Sequence, residues 1–234
     1  ALSKEKELSD LKSRFVSMAS HEFRTPLSTI LSSASLVAKY TETEEQEKRN
    51  KHIHRIKSAV NNLTNLLNEF LSIGKIEDGK IATTNIHFNI KELIIAICGE
   101  MEGLTKNNQH FVFTHIGDEE VFSDPSLLRN VVTNLLSNAI KFSEPGTNIY
   151  LKCLCTADTS ILEIEDQGPG FSDEDLKKLY SNFSKLSAKP TGNEHSTGLG
   201  LSIVKKLCDL LGAEISLHSQ LNSGSKFILK FKNT

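Results

Sequence analysis

The twenty residues "DPSLLRNVVTNLLSNAIKFS" (Asp124–Ser143) read as one helix with two distinct faces. Asp124 is a good N-cap, and Pro125 suits the first helical position. Leu128, Val131, Val132, Leu135 and Ala139 form an apolar stripe at helical spacing. Beside it run Asn130, Asn134, Asn138 and Lys141. At 100° per residue these four fall within about 80° of one another. A polar stripe is usually only the solvated face of a helix. Such faces favour Glu and Lys, however, because Asn is a mediocre helix former. Three amides and a cation along one line are closer to what a metal-bound triphosphate needs.

Downstream, "SILEIEDQGPGFS" (Ser160–Ser172) begins as a strand. Leu162, Ile164 and Asp166 share one face, and Ile161, Glu163 and Glu165 share the other. Gly168 and Gly170 then free the backbone for close approach to a ligand. A carboxylate at a strand end can accept a hydrogen bond from an adenine amino group. The plainer alternative is a β-turn with an exposed aspartate, and D-x-G-x-G alone is a weak signal. Next comes "HSTGLGLSIVKKL" (His195–Leu207), in which Gly198 and Gly200 open a helix with Thr197 as its cap. A glycine-led helix start offers free N–H groups and a positive dipole end to phosphate. About thirty residues rich in Ser, Lys, Asn and Gly separate the two glycine pairs, as in a lid over a nucleotide.

The rest of this half alternates in period. The pattern predicts helices over 90–106, 125–142 and 198–211, with a short helix in the loop region. It predicts strands over 111–116, 120–123, 148–155, 160–166, 213–218 and 226–231. Strands come in adjacent pairs rather than strict βαβ units. The expected fold is an α+β sandwich, a mixed sheet with helices on one face.

The first seventy-odd residues are helical throughout. Leu8, Leu11, Phe15 and Met18 step by three and four, and Leu27, Ile30, Ala34 and Val37 continue the stripe. After the polar "KYTETEEQEKRN" (Lys39–Asn50), Ile53, Ile56, Val60, Leu63, Leu67 and Phe70 keep a 3,4 spacing, a coiled-coil seam. Two such helices form a hairpin that cannot enclose its own stripe. Pairing two copies into a four-helix bundle would, so a homodimer is expected. The alternative is packing against another part of the same protein. Gly74 and Gly79 mark a linker in "GKIEDGKIATTN" (Gly74–Asn85). The division is therefore 1–75 helical, 76–85 linker and 86–234 sandwich, a multidomain chain.

Composition adds bounds. The 234 residues are 38% hydrophobic and 24% charged with net charge -2, which gives no basic face for nucleic acid. The longest apolar run, "LIIAIC" (Leu93–Cys98), is too short to span a bilayer, so no membrane contact is expected within these residues. No signal peptide is evident, and the charged N-terminus reads as a helix continuing from something longer. The cysteines 98, 153, 155 and 208 lack metal-ligand spacing and suit a reducing, cytoplasmic location.

In the first helix, "SMASHEFRTPLSTI" (Ser17–Ile30) sets a proline beside a histidine, a glutamate, an arginine and a threonine. The chain resembles the catalytic core of sensor histidine kinases of two-component systems over nearly its whole length. "SHEFRTPL" is similar to the H-box, "NLLSNAIKF" to the N-box, "DQGPG" to the G1-box and "TGLGL" to the G2-box, in the family's order. The ATP-binding fold of that family is shared with gyrase, a class of heat-shock chaperones and the MutL proteins. By this resemblance His21 accepts the γ-phosphoryl group of ATP and Glu22 takes its proton. Thr25 positions a water for dephosphorylating a response-regulator receiver domain, the partner to which phosphate is otherwise relayed. Asn138 holds Mg²⁺, and Asn134 and Lys141 help place the phosphates. Asp166 reads adenine, Phe142 lines its pocket, and Gly168 and Gly170 complete that turn. Phe183 and Lys185 in "NFSKL" match the F-box, although Asn182 stands where proline is common. Thr197, Gly198, Leu199 and Gly200 lie at the phosphate end.

Phosphoryl transfer asks for an in-line nucleophile and charge neutralisation, and neutral imidazole qualifies at pH 7. Pro26 cannot donate to the Glu22 carbonyl, so a bend is expected one turn after His21. Two other readings compete. A gyrase-type ATPase needs a base one turn before the magnesium asparagine, and Asn134, a poor base, stands there. A degenerate scaffold would show a broken box, whereas His21, Asn138, Asp166 and the paired glycines are all present.

Overall fold

The structure is a computed structural model that describes residues 20, 22–77, 82–181, 186–192 and 198–233. The chain divides into two compact units, with the boundary between Ser72 and Ile73.

In the first unit, helix α1 covers residues 22–37 and α2 runs Gln46–Glu77. A turn joins them, with a 3-10 segment at Thr43–Glu45. Arg49 pins this turn by donating to the carbonyls of Tyr40 (2.6 Å) and Glu42 (2.8 Å). The helical assignment continues through Pro26, which is buried, so the expected bend does not interrupt α1. Nor does Gly74 end α2, because the helix runs on to Glu77. One glycine in a last turn costs only ~1 kcal/mol and there deletes no backbone bond.

The apolar stripe divides differently from the reading by hydrophobicity. Within the hairpin, Ser33 of α1 and His52, Ala59 and Leu66 of α2 are buried, and Ile56, Leu63 and Phe70 are half-buried. Phe23 meets Phe70 with ring centroids 5.6 Å apart. Leu27 and Ala34 of the expected stripe are exposed, as are Ile53, Val60 and Leu67. The helical band is thus wider than one partner helix covers.

The second unit contains a five-stranded mixed sheet. Strands β2 (His110–Gly117), β4 (Asn148–Cys155), β5 (Thr159–Asp166), β6 (Glu214–Ser219) and β7 (Ser225–Lys232) take the order β2-β4-β5-β7-β6. Only β2 and β4 are parallel. Burial alternates along β4, β5 and β7, so a single face is covered. On it lie α3 (Ile90–Met101), α4 (Pro125–Phe142) and α6 (Gly200–Leu211), with α4 and α6 side by side. This is the expected sandwich. A two-stranded ribbon pairs β1 (Ile86–Asn89) with β3 (Glu120–Ser123), and β1 falls where the sequence suggests only the start of a domain. Helix α3 stops at Met101 and tightens into a 3-10 turn to Leu104, short of the expected Lys106. A short helix α5 (Asp173–Lys178) follows β5, opened by a capping box of Ser172 and Asp175.

Candidate functional site

Helix α4 starts as its sequence dictates. The Asp124 carboxylate accepts from the N–H groups of Ser126 (2.9 Å) and Leu127 (3.0 Å). It also accepts from Thr84 N–H at 2.7 Å, which ties the approach to β1 onto the helix. Leu128, Val131, Val132, Leu135 and Ala139 are buried, which fixes the rotation of the helix and turns the asparagine stripe away from the sheet. Asn134 donates to the carbonyl of Asn130 (2.8 Å), so Asn130 serves its neighbour through its backbone.

That stripe meets the start of α6. A β-carbon on Gly200 would lie 3.5 Å from Asn134 Oδ1 and 3.7 Å from Asn138 Nδ2. Any larger side chain there would fill the space between the amides and the helix end. The helix begins at Gly200 rather than Gly198, and Leu199 is the N-cap residue, without a side-chain cap. Its carbonyl accepts from Ile203 N–H (2.9 Å) and the Ser202 hydroxyl (2.8 Å). The N–H groups of Gly200, Leu201 and Ser202 have no carbonyl within the helix and point outward at its positive end. Two amides with hard oxygen atoms and an anion-seeking helix terminus therefore share one corner. One such oxygen suits Mg²⁺, which keeps waters and substrate phosphates as its other ligands.

At the end of β5, Asp166 accepts from Gly168 N–H (2.8 Å). Burial pushes its carboxyl up to about 6, against the backbone hydrogen bonds from Gly168 and Ser225, and the Glu165 charge adds to the rise. A β-carbon at Gly168 would stand 2.9 Å from Asp166 Oδ1 and 3.1 Å from the Phe142 carbonyl oxygen, so a side chain there would press on both. Gly170 has φ +68, and a β-carbon there would collide with the Gln220 carbonyl oxygen at 2.1 Å. Its freedom thus serves the packing of the β6–β7 turn, whose Asn222 N–H donates to Pro169 (2.7 Å).

A cleft of about 520 Å³ opens beside this turn. Phe142, Gly168 and Gly170 line it, facing Ser187, Lys189 and Leu221. Lys141 contributes its backbone carbonyl, which accepts from Thr191 N–H (3.1 Å) and Lys106 Nζ (2.9 Å). Sequence reasoning missed Lys106, Ser187, Thr191 and Leu221.

In α1, Glu22 is half-buried and Thr25 exposed, one helical turn apart. His21, Phe183, Lys185 and Thr197 lie outside the described residues. Among the described residues no group of three or more His, Cys, Asp or Glu side chains forms a metal cluster. No described helix is long and apolar enough to cross a membrane.

Comparison with known proteins finds two family matches along the chain. Residues 11–79 match the His Kinase A (phospho-acceptor) domain. Residues 123–234 match the histidine kinase-, DNA gyrase B- and HSP90-like ATPase family. The chain belongs to the sensor histidine kinases, as a catalytic core. It is 33% identical to the sensor protein GacS of Pseudomonas syringae pv. syringae, over 97% of this chain and 25% of that protein. The chain thus spans about a quarter of the length of the curated relatives it matches. Among solved structures, histidine kinase ThkA in complex with response regulator protein TrrA aligns with TM-score 0.73 and 24% identity, over 99% of this chain and 64% of that one. Full-length ShkA in complex with AMPPNP aligns with TM-score 0.67 and 22% identity, over 95% of this chain and 46% of that one.

Proposed function

We propose that this histidine kinase core binds Mg-ATP in the second unit, transfers the γ-phosphoryl group to His21, and relays it to an aspartate of a response-regulator receiver domain. The observation that carries the reading is the meeting of Asn134, Asn138 and the Gly200 helix start. Asp166 would accept from the adenine amino group, with Gly168 beside it and Phe142 along the cleft wall. Asn138 would hold Mg²⁺, whose charge offsets that of the phosphates. Lys141 lies in the last turn of the same helix as Asn134 and Asn138, and phosphate would draw its ammonium to it. We assign Phe183, Lys185, Thr197, Gly198 and Leu199 to binding the same nucleotide, and 1–75, 76–85 and 86–234 as phosphotransfer domain, linker and ATP-binding domain.

The step balances simply. An imidazole nitrogen of His21 attacks the γ-phosphorus, an N–P bond forms, and the P–O bond to the departing ADP breaks. The proton on the other ring nitrogen passes toward Glu22. Thr25, one turn along α1, would orient water for dephosphorylating the regulator.

The hairpin would act as a homodimer, because Leu27, Leu31, Ile53, Val60, Leu67 and Leu71 are all exposed on it. ShkA was captured with AMPPNP and ThkA with a response regulator, which favours the same nucleotide and partner class for this chain. The four free cysteines suit a reducing compartment.

Gly200→Val tests the nucleotide half of the reading. A β-carbon is tolerated at that position in the free protein, so folding should persist. Mg-ATP affinity, measured by calorimetry, should fall at least about tenfold as the side chain fills the phosphate corner. Unchanged affinity would remove the phosphates from the α6 start.

A further inference from the structure

Four residues of one short segment, Ser187, Ala188, Lys189 and Thr191, form a wall of the cleft, yet the segment has no helix or strand to hold it. It is gripped from outside at both ends. At Ser187, the N–H (2.8 Å) and the hydroxyl both donate to Asp175, a buried carboxylate that also accepts from the Ser172 hydroxyl (2.8 Å). Burial opposes that charge, but these bonds outweigh it and hold the carboxyl down at about 2.

At Thr191, the N–H donates to the Lys141 carbonyl (3.1 Å), and the hydroxyl lies 2.9 Å from the Ser143 carbonyl oxygen. Lys106 completes this end. Its Nζ donates to the carbonyls of Lys141 and Ser143, each at 2.9 Å, and to the Thr191 hydroxyl. The carbonyls belong to the C-terminal end of α4, where a cation is favoured by the helix dipole. The lysine backbone is itself fixed, since Lys106 N–H donates to Gln109 Oε1 (3.1 Å).

We propose that Lys106 is a positioning residue for the nucleotide: with Thr191 it fastens the Ser187–Thr191 wall to the end of the asparagine helix, while Asp175 fastens the other end. This rests on the nucleotide reading above. Lys106 fixes where the wall stands, so a bound base and ribose meet a preformed surface instead of ordering a loose loop.

The test uses the whole chain and Mg-ATP. Lys106→Met and Thr191→Val should each weaken Mg-ATP binding about tenfold, with KM rising in step. Transfer at saturating ATP should stay within about twofold of the parent. Thr191→Ser, which keeps the hydroxyl, should restore affinity. The double variant should be no worse than the weaker single one, as two parts of one anchor require. Affinity within about twofold of the parent in both single variants would overturn the proposal. So would a fall in saturated rate and melting temperature with KM unchanged, which would mark a merely structural lysine. A parent chain that binds no nucleotide would instead overturn the nucleotide reading, and this inference with it.

Discussion

In the second unit, Ile90, Leu128, Leu136, Ile149 and Leu162 are withdrawn from water completely. In the hairpin, among the described residues, the buried apolar side chains are Pro26, Ala59 and Leu66, while Leu31 remains 71% exposed and Leu67 50%. One unit closes its own core between a sheet face and three helices. The other leaves much of its apolar band exposed, the surface proposed above to meet a second copy. The difference separates two tasks. The proposed nucleotide site needs fixed geometry, and the self-contained unit supplies it. The helix proposed to accept phosphate needs a surface that other bodies can approach, and an incompletely covered hairpin leaves one.

The largest expected effect strikes the incomplete unit. Val60→Glu with Leu67→Glu puts two charges per chain onto the open flank of α2. Each apolar side chain contributes ~1.5–3 kcal/mol when buried, so dimerisation should weaken by about 1000-fold, as sedimentation would record. The nucleotide affinity of the other unit should not change. A dimer of undiminished stability would place the interface elsewhere.

A smaller effect belongs to the closed unit. Asp166→Asn should cost about 100-fold or more in Mg-ATP affinity, because a charged acceptor is lost. The fold should survive. The carboxyl is raised to about 6 by burial, so the stability it contributes is present below the ordinary carboxylate range near 4 and is lost as pH rises through 6. At pH 7 the asparagine variant is therefore relieved of a penalised charge. The same shift makes ATP affinity of the parent fall as pH drops through about 6, by about tenfold at pH 5, as protonation removes the acceptor. Flat affinity from pH 7 to 5 would mean that Asp166 does not hold the adenine.

Much of the closed unit was legible because its signals are local. Asp124 and Pro125 announce α4, alternation announces β4 and β5, and Asn134, Asn138, Asp166 and Gly200 sit in short motifs. Strand β1 was hidden because its alternation, Ile86 and Phe88 against His87 and Asn89, lasts only four residues and pairs only with the equally short β3. In the hairpin, hydrophobicity pointed to Val60 and Leu67, on the flank that stays exposed. The interior of the single hairpin is lined partly by Ser33, His52 and Ala59, which no apolar count selects. Lys106 was beyond reach for another reason. Its partners Lys141 and Thr191 stand 35 and 85 positions away, and only the folded chain brings them together.

In the proposed reaction the closed unit delivers phosphate to one imidazole on the open one. Incubating the folded chain with γ-labelled Mg-ATP and mapping the label separates this from any other fate of the phosphate. An acid-labile, base-stable phosphoryl group should form on His21 and disappear in His21→Ala while nucleotide binding persists. Label that survives acid, or that stays on the His21→Ala chain, would rule the transfer out.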